Sequence, residues 1–334
     1  MDFIEGLKPG PEFDRIRSFV GAVRSEAVGV RVPPGDDAAV LEWTDGLVVL
    51  TSDAFVEGVH FQRAWSCWEA IGFRAAAGAL SDLAAMAARP VGVLVSLMVP
   101  PETEERTLIG LGEGFGECLR RYGAGLLGGD LTHSTEALAI DVCAVGATEA
   151  PLRRSGARPG DEVWLTGAVG GAAAAVHAWQ RSLEPDPRAT AAFEAPAARI
   201  DEAIWLGENC RLTALIDVSD GLAGDARQLA AASQTRLAID LDAVPLAPPL
   251  SEYAQRGAAL RIAMAGGEDY ELLFCSEPGS VDAARAAFEG RFGVALTRIG
   301  RVERGVGIAW TSASGSILPA DLDGYDHFEG ARGR

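Results

Sequence analysis

A chain of 334 residues with 48% hydrophobic content carries enough apolar mass for two cored domains. Its formal net charge of −18 argues against nucleic acid and anionic membrane surfaces as partners. Lys8 is the only lysine and lacks the glycine-rich context of a Walker A loop, so any handling of ATP must rest on metal ions, arginine and backbone N–H groups. The five cysteines are scattered without a Cys-x-x-Cys pair, and no apolar run reaches ~18 residues. An odd cysteine count with no secretory leader predicts a reducing, cytoplasmic setting.

In chain order, Leu47 to Leu50 predicts a short buried strand that delivers Thr51, Ser52 and Asp53 at its exit. Ser66-Cys67-Trp68-Glu69 has the spacing of a capping box, and an alanine-rich helix should follow and stop before Pro90. A strand from Val91 to Val99 and a helix from Thr103 to Tyr122 come next, the helix closed by Gly123. Ala137 to Val145 reads as a strand and Glu149 to Gly160 as an interdomain connector. The second half predicts strands at Glu162–Thr166, Leu215–Val218, Tyr270–Cys275 and Leu296–Ile299. Its helices are expected at Ala172–Trp179, after Leu222 and around Ala283–Phe288, with a loop and a helical piece over Leu183–Pro196. Strands and helices mix without βαβ regularity, which predicts an α+β domain in each half, residues 1–150 and 151–334.

Acidic residues punctuate the apolar runs. Asp217 and Asp220 stand three apart in Ile216-Asp217-Val218-Ser219-Asp220-Gly221-Leu222, and Gly35-Asp36-Asp37, Thr51-Ser52-Asp53 and Gly128-Gly129-Asp130 repeat the theme. Each reads as a turn at the rim of a buried strand. A lone Asp-Gly most often caps a helix, but four acidic clusters in one chain repel unless a cation joins them. Oxygen ligands suit a hard divalent ion, and Mg²⁺ commonly shares them with substrate phosphates. Asp82 lies in a nearly all-apolar helix whose neighbours Gly78, Ala79, Ala85 and Met86 offer it no partner, so it is expected to meet a metal or ligand and not protein. Gly167 to Gly171 could cradle a phosphate or simply pack. Gly266-Gly267-Glu268-Asp269-Tyr270-Glu271 is either a solvated acidic turn or part of a site. His60 has no second ligand at zinc spacing, and no Gly-x-Ser-x-Gly elbow is present.

Taken together in this order, the motifs resemble the thiamine-monophosphate kinase family, of the superfamily that includes aminoimidazole ribonucleotide synthetase and selenophosphate synthetase. The resemblance runs nearly end to end and includes Val56-Glu57-Gly58-Val59-His60-Phe61, Leu80-Ser81-Asp82-Leu83-Ala84-Ala85-Met86, Arg154-Ser155-Gly156-Ala157 and Gly324-Tyr325-Asp326-His327-Phe328. It implies a two-domain aminoimidazole ribonucleotide synthetase-like α+β fold whose amino-terminal domain pairs with a second copy into a β-barrel. That domain would bind ATP and metal, and the carboxy-terminal one would complete the site. The implied reaction is ATP-dependent phosphorylation of thiamine monophosphate. Asp37, Thr51, Ser52, Asp53, Asp82, Asp130, Asp217 and Asp220 would hold several Mg²⁺ ions, with Asp220 at the transferring phosphate. Gly129, Asp130, Arg154 and Ser219 would contact ATP, while His60, Glu268 and Tyr325 would line the acceptor site. The chain departs from the family pattern at Ala79, at Leu131 and over Ala195–Arg199. Rival readings are another ATP-dependent member of the superfamily with a different acceptor, and a non-catalytic dimeric paralogue that senses nucleotide or thiamine phosphate.

Overall fold

This computed structural model describes residues 30–32, 39–43, 46–252 and 255–313, and among them two six-stranded sheets organise the fold. Asp37 and Tyr325 lie outside the described residues. The first sheet contains β1 (Val30–Val32), β2 (Ala39–Trp43), β3 (Gly46–Val56), β4 (Arg89–Val99), β5 (Gly125–His133) and β6 (Ala139–Thr148) in the order β1-β2-β3-β6-β4-β5. Only the β4–β5 pairing is parallel. In β3, Val49 and Phe55 are buried while Ser52 and Ala54 are exposed, the period-two pattern of a strand with one covered face. Helix α1 (Trp68–Ala85) covers that face, and α2 (Glu105–Arg121) lies against α1. A Cβ at Gly72 would stand 2.2 Å from the Leu111 carbonyl oxygen, and one at Gly114 would stand 1.8 Å from that of Glu69. Glycine therefore sets how closely the two helices approach.

The second sheet runs β12-β9-β11-β7-β10-β8. Its strands are β7 (Glu162–Thr166), β8 (Leu212–Val218), β9 (Arg236–Asp240), β10 (Glu271–Ser276), β11 (Leu296–Glu303) and β12 (Gly307–Thr311). The helices of this half are α3 (Gly171–Trp179), α4 (Pro187–Glu194), α5 (Ile200–Asn209), α6 (Leu222–Ser233), α7 (Pro248–Ser251), α8 (Arg256–Ala265) and α9 (Ser280–Phe292). Val163, Leu165, Ile216 and Leu273 share a core with α6 and α8. The alternate residues Trp164, Leu215, Leu272 and Phe274 join α1 and the first sheet in one continuous core. The sheet is thus apolar on both faces, and α1 is buried between the two halves.

Three local expectations are corrected. Strand β3 does not end at Leu50 but continues to Val56, so Thr51, Ser52 and Asp53 are paired with Ala144, Cys143 and Val142 of β6. Gly128-Gly129-Asp130 likewise lies inside β5 and not on a turn, held by parallel pairing with β4. The capping box does not form: α1 starts at Trp68, its N-cap Cys67 makes no side-chain cap bond, and the Ser66 hydroxyl is buried without a hydrogen-bond partner. Strands β1, β2, β5, β9 and β12 and helices α5, α7 and α8 were not expected from the sequence. Helix α5 packs on α1 and α9, and α8 on α3 and α6.

Candidate active site

Carboxylates from β3, α1 and the end of β8 meet around one tyrosine. The Thr51 hydroxyl donates to Asp82 Oδ2 at 2.5 Å, and the Ser81 hydroxyl donates to Asp217 Oδ2 at 2.6 Å. Asp82 therefore has a protein partner after all, from the neighbouring strand and not from its own helix. Asp53 lies between the sheet and α1, where Gly78 makes room for it. A Cβ at Gly78 would stand 2.9 Å from Asp53 Oδ2 and 3.0 Å from the Tyr270 hydroxyl. Burial pushes the Asp53 carboxyl up to about 7, and the charges of Asp220 and Asp141 add to the effect against a backbone N–H bond from Ala54. Burial also drives the Tyr270 hydroxyl well above its usual range, with Asp53, Asp217 and Asp82 contributing.

Ser219 and Asp220 sit half-buried on the turn between β8 and α6. The Asp220 N–H donates to Asp225 Oδ2 at 3.1 Å, and Gly221 adopts φ +95°, which a side chain would oppose. The loop before β10 closes over this turn. Glu268 N–H donates to the Ser219 carbonyl and Tyr270 N–H to that of Val218, each at 2.8 Å.

That loop is not a solvated acidic turn, because each of its carboxylates has a separate partner. Glu268 forms an ion pair with Arg74 of α1. Asp269 accepts from the N–H groups of Gly170 and Gly171 at 2.8 and 3.0 Å, so the glycine turn entering α3 serves its own chain and is no open phosphate cradle. Glu271 binds Arg199 at 2.6 Å and accepts from the Thr166 hydroxyl at 2.6 Å. His60 reaches the same neighbourhood from the turn after β3. Its Nδ1 accepts from Val56 N–H at 3.0 Å, which leaves Nε2 of the neutral ring as the donor.

Other expected residues stand apart. Successive strand residues face opposite ways, so Ser52 is turned from α1 and donates to Asp141 at 2.9 Å. Asp141 and Asp130 flank Ser96 across adjacent strands, which puts Asp130 on this outward face too. Gly129 lies against β4, where a Cβ would meet the Val95 carbonyl oxygen at 1.8 Å. Arg154, in the connector between the halves, donates to Gln228 of α6 at 3.0 Å. Arg74, Tyr270 and Asp141 were missed in the sequence. A charge inside the apolar run from Ala70 to Leu80 is the signal that could have found Arg74.

The donors around Asp53 are all oxygens with a deficit of positive charge, which is the chemistry of a hard divalent cation. Among the described residues no group of three His, Cys, Asp or Glu side chains is spaced to hold an ion by itself. This arrangement fits Mg²⁺ bound jointly with phosphate oxygens and water, and fits a complete protein cage poorly.

Comparisons with known proteins follow the same outline. Residues 35–148 match the family model for AIR synthase related protein, N-terminal domain, and residues 158–311 match the corresponding C-terminal domain. The thiamine-monophosphate kinase of Rhodopirellula baltica is 32% identical over 313 residues, covering 91% of this chain and 92% of that protein. That of Synechococcus elongatus is 36% identical over 306 residues, covering 88% and 91%. Among solved structures, AaThiL complexed with AMPPCP and TMP has a TM-score of 0.79 at 30% identity and covers 95% of this chain and 97% of that one.

Proposed function

The chain belongs to the thiamine-monophosphate kinase family, and on that premise we propose that it transfers the γ-phosphoryl group of ATP to thiamine monophosphate, making thiamine diphosphate. The observation that carries this reading is the meeting of Asp53, Asp82 and Asp217 around Tyr270, with Asp220 close enough to raise the Asp53 carboxyl. A relative solved with both AMPPCP and TMP supports the two substrates. The acceptor is a phosphate monoester with a second pKa of about 6, so it is anionic at neutral pH and needs no strong base. The barrier is repulsion between two phosphates held for in-line transfer.

The residues divide that task. Thr51 and Ser81 fix the Asp82 and Asp217 carboxylates, and Gly221 frees the turn that presents Ser219 and Asp220. His60 Nε2 can donate to the acceptor phosphate, and Glu268 faces the cationic ring end of the acceptor; Tyr325 is assigned to the acceptor on the family resemblance alone. Gly129, Asp130, Arg154 and Ser219 take the nucleotide. Mg²⁺ held by Asp37, Thr51, Ser52, Asp53, Asp82, Asp130, Asp217 and Asp220 would neutralise and align the phosphates. The outward placement of Ser52 and Asp130 fits more than one ion.

The proposal includes a division at residue 150, a cytoplasmic setting and a homodimer whose amino-terminal domains form a β-barrel. Exposure of Leu126, Leu127 and Leu131 on β5 and of Leu94 on β4 supports pairing with a second copy. Among the described residues no helix is long and apolar enough to cross a membrane. The deciding assay is ATP consumption with thiamine monophosphate, using thiamine as the control acceptor. Turnover with thiamine alone, or with neither, would overturn the reading.

A further inference from the structure

We infer that Arg74 is a positioning residue for acceptor recognition, tying the loop that carries Glu268 to the turn that carries His60. The inference rests on the acceptor site proposed above. Arg74 is fully buried in α1. Its Nη2 bonds the Glu268 carboxylate, and Nη1 and Nη2 reach the His60 carbonyl oxygen at 3.4 and 3.3 Å. Its guanidinium carbon stands 3.6 Å from the ring centroid of Phe193 in α4. One side chain thus joins three segments far apart in sequence.

The chemistry demands a guanidinium. A buried cation is costly unless it is paired, and a planar fork can serve a carbonyl and a carboxylate together while lying on an aromatic face. An ammonium offers a single point. Glu268 also needs an external tie, because its φ of +69° lies in the left-handed region that disfavours a side chain. Without Arg74 the loop loses the contact that sets where its carboxylate points.

The test is a mutant cycle of Arg74→Met, Arg74→Lys, Glu268→Gln and the double variant Arg74→Met/Glu268→Gln, read as KM for thiamine monophosphate and for ATP at saturating Mg²⁺. We expect Arg74→Met to raise the acceptor KM at least about tenfold with the ATP KM changed less than about twofold, and Arg74→Lys to fall between. The double variant should be no worse than the more impaired of the two single variants by more than about twofold, because Arg74 acts through Glu268. Equal effects on both KM values, an unchanged acceptor KM, or additive effects in the double variant would overturn the inference and leave only a packing role. If Arg74→Met does not fold, Arg74→Lys with Glu268→Gln completes the cycle under the same criteria. A wild-type chain without thiamine monophosphate turnover overturns the functional reading, and this inference with it.

Discussion

Replacing Gly78 by alanine tests whether the position of Asp53 matters to the reaction. The new methyl would stand 2.9 Å from Asp53 Oδ2, 3.0 Å from the Tyr270 hydroxyl and 3.1 Å from Phe55 Cζ, whereas ordinary contact begins near 3.4 Å. Each neighbour must therefore give way by up to about half an ångström, the tolerance within which catalytic groups need to be held. For stability two terms oppose. Alanine gains about 1 kcal/mol over glycine inside a helix, and overpacking costs about 1–3 kcal/mol. The net loss should lie between zero and about 2 kcal/mol, so the protein stays folded. Activity should suffer more, with kcat down about 10- to 100-fold, since each factor of ten is about 1.4 kcal/mol of lost transition-state stabilisation. Gly112→Ala is the matched control, an exposed helical glycine whose added Cβ meets nothing within 4 Å. It should stabilise by about 0.5–1 kcal/mol and leave turnover alone. The assay is ADP release with thiamine monophosphate as acceptor, alongside thermal unfolding of both variants. A Gly78→Ala enzyme with kcat within about twofold of wild type would show that the positions of the Asp53 carboxylate and the Tyr270 hydroxyl do not matter to the reaction.

Asp220→Asn should lower kcat by at least about a hundredfold with an unchanged unfolding midpoint, as expected for a charge that acts on the transferring phosphate; near-normal turnover would remove it from the site. Asp82→Ala should abolish most activity, yet cost stability by only about 1 kcal/mol, the worth of its bond from Thr51; a loss several times larger would mark Asp82 as structural. Asp53, pushed by burial up to about 7 from the ordinary carboxylate range, keeps its proton to higher pH in the native state than when unfolded, so stability without metal should fall as pH rises from about 4 to 7. Mg²⁺ would offset that loss, so its thermal stabilisation should be greater at pH 8 than at pH 5, and equal shifts at both would contradict the metal reading.

How much of this was legible in the sequence differs from residue to residue. In the second half the strand Glu162–Thr166 was read to its ends, because a short apolar run there lies between clear breakers, whereas β8 and β11 were read short and β9, β12, α5 and α8 were missed. The acidic motifs were recognised, but their surroundings were not. Thr51, Ser52 and Asp53 looked like one cluster at a strand exit, and the longer strand splits them: Thr51 and Asp53 face α1, and Ser52 faces away toward Asp141. Strand length was hidden because polar residues on the covered face imitate a turn, and they can remain there only when hydroxyl donors and a glycine on the facing helix make room. Asp82 shows the companion limit. Its helix offers no partner at the local spacings, yet Thr51 lies 31 positions away in sequence and within hydrogen-bond distance in space.

The loop before β10 carries the same argument to the site itself. Glu268, Asp269 and Glu271 read as one block of negative charge, and the fold divides them among Arg74, the Gly170–Gly171 turn and Arg199. Two of the three carboxylates thereby fasten the loop to α3 and to the segment that starts α5. Only Glu268 is left at a strained backbone position beside His60 and Tyr270. Sequence counts charges, whereas function depends on where each charge is held. Here Asp269 and Glu271 are committed to the fold, and Glu268 is held by Arg74 beside the His60 turn.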